Sequence, residues 1–331
     1  MSTSTTEVTE IGTALGMLVS DRSDPLAELP RQLRYVSDDV WSRFVVGVSG
    51  PHSATFGAAF ENGRYFFRAQ DGLRSREPLI IDWKGPHRPP GDDVAPIDLR
   101  IDHVFLVSCK YLSRVLLNAG PARLFERLLI GDERSSSNWF RTVAEPEHEA
   151  FYQAVRSSVA PQIAESFDQV SSSDRELLKS ALADRQLPVA CRDVWVGLTE
   201  AVARRTATLW AANLGDRRSQ LRLLWRLLRI GDSPYFVLGH DGRDTLRLRV
   251  SSKWDWLQDF EFRKLRIYPR KAGQPEVGWR AEVWRRHDGC MSVIDGHVEI
   301  RWSHGRLQGA PEAKVYLDSR HEDVPGYWPL T

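Results

Sequence analysis

Cysteine is scarce in this chain: Cys109, Cys191 and Cys290 are its only three in 331 residues, too scattered for a disulfide framework or a zinc ligand set. Long apolar runs are missing, and no segment approaches the roughly 20 apolar residues that a membrane span needs. The opening MSTSTTEVTE has neither the basic nor the apolar region of a signal peptide, so the protein is expected in the cytoplasm, away from membranes. Three catalytic signatures are absent too. There is no phosphate-binding glycine loop ending in Gly-Lys-Ser/Thr, no His-Glu-x-x-His, and no Gly-x-Ser-x-Gly, since GVSGP has the wrong spacing. Nucleotide hydrolase, zinc protease and esterase readings therefore have no support. No internal repeat is visible, and no low-complexity segment beyond the polar start.

What is present is ordinary for a soluble globular protein: 42% hydrophobic and 27% charged residues, in a chain long enough for two domains and a large core. The formal net charge of +1 hides an asymmetry. Between Arg204 and Arg286 there are 19 Lys/Arg against 9 Asp/Glu, which makes that stretch about +10 and the remainder about −9. The same stretch holds Trp210, Trp225, Trp254, Trp256, Trp279 and Trp284. Cations neutralise phosphates and aromatic faces stack on bases, so this block suits nucleic acid; a tryptophan core under solvated strand faces is the competing explanation.

The pattern along the chain divides it. Residues 1–25 read as a flexible polar tail. From 26 to 144 the pattern is mixed, with strand-like WSRFVVGVSG, EPLIIDWKG and HVFLVSCKY, the last followed by a helical LSRVLLNAGPARLFERLLIG. Residues 145–231 read as helical, with apolar spacings of three and four, ending in SQLRLLWRLLRIG. Residues 232–331 alternate apolar and polar positions as antiparallel strands do, with an Asp-Gly hairpin turn at Asp241 and Gly242. The expected fold class is α+β or mixed α/β.

The stretch DLRIDHVFLVSCKY, Asp98 to Tyr111, carries the most chemistry. It reads as two short strands joined by a turn near Asp102 and His103. Period-two alternation then puts Ser108 and Lys110 on one face and Cys109 on the other. An Asp98 carboxylate approaching the lysine from the adjoining strand can hold Mg²⁺ and orient a water. The ion takes oxygen ligands and lowers the pKa of bound water, while the lysine offsets developing negative charge.

These residues resemble the PD-(D/E)XK nucleases of the restriction-endonuclease fold, whose signature is an acid on one strand and acid-x-lysine on the next. Asp98 matches the first acid, although Ile97 separates it from Pro96, and Lys110 matches the lysine. Ser108 stands where the second acid is usual. In this it is similar to a branch of type II restriction enzymes that carries Ser-x-Lys and takes a glutamate from the following helix, for which Glu126 is the available acid. The resemblance covers about Phe56 to Leu129. It implies a restriction-endonuclease-like N-terminal core, Asp98 and Glu126 as Mg²⁺ ligands, Lys110 as the catalytic lysine, and hydrolysis of DNA in bacterial restriction or defence. In the basic C-terminal part, Arg247 and Arg249 alternate with leucines in TLRLRV, and Arg263, Lys264 and Arg266 extend the same DNA-contacting surface if the two strands are neighbours in one sheet.

Other readings of the same residues stand beside this one. VFLVSCKY is equally a core strand whose lysine reaches solvent at its end, with Asp98 as a turn residue. Asp82 and Lys84 are either supporting polar groups or members of an edge strand, and Asp102 lies close to the turn. Glu312 and Lys314, with Glu299 upstream, spell a second acid-x-lysine. His87, His304 and His321 show no ligand spacing and read as surface residues. Function divides accordingly between a Mg²⁺-dependent endonuclease, a non-catalytic DNA-binding protein and a structural or protein-interaction module, with a homo-oligomer open in each case.

Overall fold

Ser4-Thr5-Thr6-Glu7 carries a reciprocal helix-start signal, and the computed structural model shows it in use. The Ser4 hydroxyl accepts from the Glu7 N–H at 3.2 Å, and the Glu7 carboxylate accepts from the Ser4 N–H at 2.7 Å. The structure describes residues 3–18, 24–85, 97–111, 115–119, 121, 124, 138–182, 187–240, 245–271, 273–302 and 305–331. Helix α1 (Thr5–Leu18) starts at this cap and is buried at every residue from Val8 onward. The flexible tail expected over 1–25 is thus corrected for Thr5–Leu18. Val8, Ile11, Leu15 and Leu18 recur at helical spacing, and the polar composition around them conceals the pattern.

Helix α1 crosses α3 (Ser53–Arg68) at backbone contact. A Cβ on Gly16 would lie 2.1 Å from the Phe60 carbonyl oxygen, and one on Gly63 would lie 2.0 Å from that of Thr13. Because the obstacle is backbone on both sides, Gly16→Ala is expected to cost about 1–3 kcal/mol through overpacking. A urea unfolding midpoint unchanged from wild type would show that the crossing is looser than it looks.

The strand expected over WSRFVVGVSG is instead helix α2 (Asp38–Val48). Ser37 caps it by accepting from the Val40 N–H, Asp38 and Asp39 occupy its first turn, and Phe44 and Val48 face the core. The cap and helical spacing outweigh the β-branched run.

The architecture is mixed α and β, with two sheets. The first has seven strands in the order β1-β2-β3-β4-β6-β7-β12: β1 (Leu33–Arg34), β2 (Ile81–Trp83), β3 (Leu99–Ile101), β4 (Phe105–Tyr111), β6 (Tyr235–His240), β7 (Thr245–Val250) and β12 (Tyr327–Pro329). Strands β2, β3 and β4 form an antiparallel meander, and β6 joins β4 in parallel. One apolar cluster, including Leu15, Phe66, Leu99, Val107 and Leu238, lies between this sheet and helices α1 to α3.

The second sheet is antiparallel throughout, in the order β5-β11-β10-β9-β8, built from β5 (Val115–Ala119), β8 (Phe260–Lys271), β9 (Pro275–Arg285), β10 (Cys290–Trp302) and β11 (Pro311–Leu317). Strand β5 stands where the helix after Tyr111 is expected to begin. Pro121 disfavours helical backbone in the residue before it, and the edge of β11 offers Leu117 a partner in Val315. The helices expected between 145 and 231 are α4 (Trp139–Val159), α5 (Ser172–Ala181), α6 (Val189–Asn213) and α7 (Arg217–Leu227). Helix α6 lies against β8 and β9 over the larger core. A final short helix, α8 (Lys253–Asp259), precedes β8.

The three-part division read along the chain does not carry over to the sheets. Strands β6, β7 and β12 complete the sheet begun by β1 to β4, while β5 belongs to the sheet built by the C-terminal strands.

One core position is chemically unusual. His148, on α4, is fully buried, its ring 4.7 Å from Phe167 in an edge-to-face arrangement. Neither of its ring nitrogens has a hydrogen-bond partner among the described residues. Burial, with a smaller contribution from Arg141, pulls its pKa down to about 4.

Candidate active site

Asp98 sits just before β3 and is stitched to both neighbouring strands, its N–H donating to Val107 and its carbonyl accepting from Lys84. Because Leu99 is paired with Val107, Asp98 faces the same way as Ser108. Its Oδ2 accepts from the Cys109 N–H at 2.6 Å and from the fully buried Ser108 hydroxyl at 3.3 Å. Lys110, two residues after Ser108 on β4, belongs to the same face and is half-buried. The register therefore puts Asp98, Ser108 and Lys110 on one face of the hairpin. Asp102 and His103 form the turn, both with positive φ.

Cys109 points to the α1 side. Burial pushes its thiol well above the ordinary range, and the negative charges of Asp98 and Glu10 push it further, against smaller opposing contributions from Thr13 and Lys110. The thiol stays protonated and is no nucleophile. Tyr111 continues that face: its hydroxyl meets Thr13 at 3.2 Å and accepts from Asn62 at 3.0 Å. Glu10 is an acid that sequence reasoning passed over. It is 6% exposed on α1, and its carboxylate accepts from the Trp83 indole N–H at 2.6 Å. The Ser4–Glu7 cap was the signal that could have revealed it, by placing residue 10 on a helix.

Asp82 occupies an inner strand, not the edge strand expected, because β1 covers β2. It is 7% exposed and faces the Asp98 side of the sheet, opposite Arg100. Both contacts from the Arg100 guanidinium, 2.7 and 3.0 Å, go to Oδ2, leaving the buried Oδ1 without a hydrogen-bond partner among the described residues. Asp102 is the opposite case. It accepts from the N–H groups of Leu79 and Ile80 and from Arg76; burial raises its pKa, but these donors win and hold it below the ordinary carboxylate value. Asp102 braces the turn.

Glu126, the acid that the family resemblance supplies from a following helix, lies outside the described residues, as do His87, His304 and the Asp241–Gly242 turn. Among the described residues no group of three or more His, Cys, Asp or Glu is arranged to hold a metal. Nor does any described helix have the length and apolar character to cross a membrane. Glu312 and Lys314 lie half-buried on one face of β11, 3.6 Å apart, with Lys314 opposite Glu299 and Glu299 accepting from Tyr316. They form a charge ladder along two strands.

The basic block is less of a single surface than the sequence suggests. Arg247 and Arg249 do share a face of β7, with Leu246 and Leu248 buried behind them. Arg263, Lys264 and Arg266 are exposed on β8, but β8 is the edge of the second sheet and β7 belongs to the first, so the two strands are not neighbours. A bulge between Phe262 and Lys264 also inserts Arg263 as an extra residue, which approaches the Trp284 ring at 5.7 Å. Of the six tryptophans, Trp210, Trp225, Trp256 and Trp279 are core; Trp254, at 69% exposure, and the half-buried Trp284 reach the surface. Comparison with protein-family models, curated proteins and solved structures finds no match to this chain.

Proposed function

We propose that the protein is a Mg²⁺-dependent endonuclease that hydrolyses DNA phosphodiester bonds, with its centre on the face shared by Asp82, Asp98, Ser108 and Lys110. The observation that carries the reading is the partnerless, buried Oδ1 of Asp82, on the same sheet face as Asp98. A buried carboxylate oxygen is costly without a partner, and a cation is the partner it suits. Magnesium is commonly held by one or two protein carboxylates, with water and phosphate oxygens completing its shell, and Asp82 and Asp98 are the carboxylates this face would offer it. Bound there, the ion would lower the pKa of a water and stabilise charge on the phosphate.

The chain's own groups do the rest. Ser108 and the Cys109 N–H fix the Asp98 carboxylate from below. Lys110 offsets the charge that develops on the phosphate oxygens. Lys264 and Arg266, both exposed, are cations suited to positioning the DNA backbone. The β2–β3–β4 meander followed by the parallel β6 supports a restriction-endonuclease-like core, and a role in restriction or defence follows from that resemblance alone.

The two donors that already hold Asp98 favour a second reading, in which the carboxylate only braces the hairpin and the protein binds DNA without cutting it. Incubation of supercoiled plasmid with the pure protein separates the two. Nicking or linearisation in Mg²⁺ that disappears in EDTA is the expected result. Salt-sensitive binding with no cleavage would replace the first reading with the second.

A further inference from the structure

A cavity of about 620 Å³ opens where β7 runs beyond the end of β12, bordered by Leu317 and Pro329 and flanked by Tyr65 and Arg247. Its size is that of small-molecule sites, and its lining is mixed, with Thr245, Ser319, Arg320 and His321 beside the apolar residues.

Arg247 is held there in an unusual way. Its guanidinium carbon sits 4.1 Å from the centre of the Tyr65 ring, and its Nε donates to the Asn62 side-chain oxygen at 2.9 Å. Both supports are themselves fixed. The Tyr65 hydroxyl donates to the Leu330 carbonyl at 3.0 Å, and the Asn62 amide donates to the Gly239 carbonyl at 3.2 Å and to the Tyr111 hydroxyl. These partners are all neutral, and among the described residues no carboxylate pairs with Arg247. The acids that line the cavity have other partners, Asp318 in Arg270 and His297, and Glu322 in Arg320, which lines the cavity too.

A half-buried cation is costly without a counter-ion, and a guanidinium braced on one face and one edge has already lost the freedom that binding would remove. Its two terminal NH₂ groups are left to form a fork suited to an oxyanion. We propose that this cavity binds a small amphipathic anion, whose single carboxylate, sulfonate or phosphate group is received by Arg247 and whose apolar body lies against Leu317 and Pro329. The site is independent of the nuclease reading and requires no metal. DNA is the poorer fit, because the guanidinium is half-buried and the acids Asp318 and Glu322 line the same recess.

The test uses the full-length protein and 8-anilinonaphthalene-1-sulfonate, an aromatic body with one sulfonate, followed by its fluorescence in EDTA. Saturable one-to-one binding is expected, displaced by octanoate but not by octanol at equal concentration. Arg247→Gln should weaken binding about tenfold or more, the value of one charge-assisted hydrogen bond. Arg247→Lys, which keeps the charge but loses the fork, should fall between. Thr245→Trp, at an exposed position on the cavity wall, should block binding with Arg247 intact, which guards against misfolding of the arginine variants. Equal displacement by octanol, or unchanged affinity in Arg247→Gln, would overturn the proposal. So would displacement of the probe by a short DNA duplex but not by octanoate, which would assign Arg247 to the DNA backbone.

Discussion

Asp98→Asn is expected to keep the fold and to lose at least about a hundredfold in Mg²⁺-dependent plasmid cleavage, as one charged ligand is removed from the reacting centre. Asparagine is the informative substitution here. Alanine would leave the Cys109 N–H and the buried Ser108 hydroxyl without their acceptor, a loss of about 1–3 kcal/mol that would blur fold with function. Asparagine keeps an oxygen in place and removes the charge. Lys110→Ala should lose a similar factor, because its cation is proposed to act on charge present in the transition state. The second carboxylate is decided by a pair: Asp82→Asn and Glu126→Ala, each assayed for cleavage across a Mg²⁺ titration. Loss in Asp82→Asn with activity retained in Glu126→Ala would place the donor on β2; the reverse would return it to the segment after β5. Wild-type cleavage by either Asp98→Asn or Lys110→Ala would remove the centre from this hairpin altogether.

The second large effect belongs to His148. Its folded pKa, about 4, lies below the ordinary 6.5, so the fold prefers the neutral ring. Above pH 6.5 both folded and unfolded chains carry it neutral, and stability does not respond. Below that, the unfolded chain takes up a proton that the folded chain refuses until about pH 4, so stability falls as the solution is acidified through this window. The whole window is worth about 3 kcal/mol, and about 2 kcal/mol is lost by pH 5. His148→Phe suits the aromatic surroundings and has no proton to take up. Urea unfolding at pH 7.5 and pH 5.0 should show a drop in wild type that exceeds the drop in the variant by about 2 kcal/mol. Equal drops would mean that His148 reaches solvent or a partner in the native state.

Where the sequence and the structure agree, a single period governs. TLRLRV and GHVEIRW alternate cleanly because one face of each strand meets the core. The misreadings came where two signals competed. WSRFVVGVSG is rich in β-branched and aromatic residues, yet Ser37 and the acids after it commit the segment to a helix. The N-terminal residues look like a solvated tail by composition, while the Ser4–Glu7 cap and the spacing of Val8, Ile11 and Leu15 make α1 a buried helix. Asp82 was legible only as a member of a strand, because its burial and its partnerless oxygen depend on β1 and Arg100, which approach it from other parts of the chain. The same holds for Arg247: alternation gave its face, but only the tertiary fold could set it over Tyr65 beside a cavity.

The braiding of the two sheets has a kinetic cost. Strand β4 pairs Val107 with Phe236, so the sheet that carries the proposed centre cannot extend past β4 until helices α4 to α7 and everything between them have been traversed. Strand β5, next to β4 in sequence, must meanwhile find Val315 in the other sheet. Neither sheet can be finished from a local segment, and the loop-closure entropy of both long-range pairings must be met before their contacts reward it. Refolding should accordingly be slow, with the bare edge of β4 exposed in whatever collapsed state comes first. An isolated 1–144 fragment would present that edge permanently and would aggregate, not fold, because the strand that protects it begins at Tyr235.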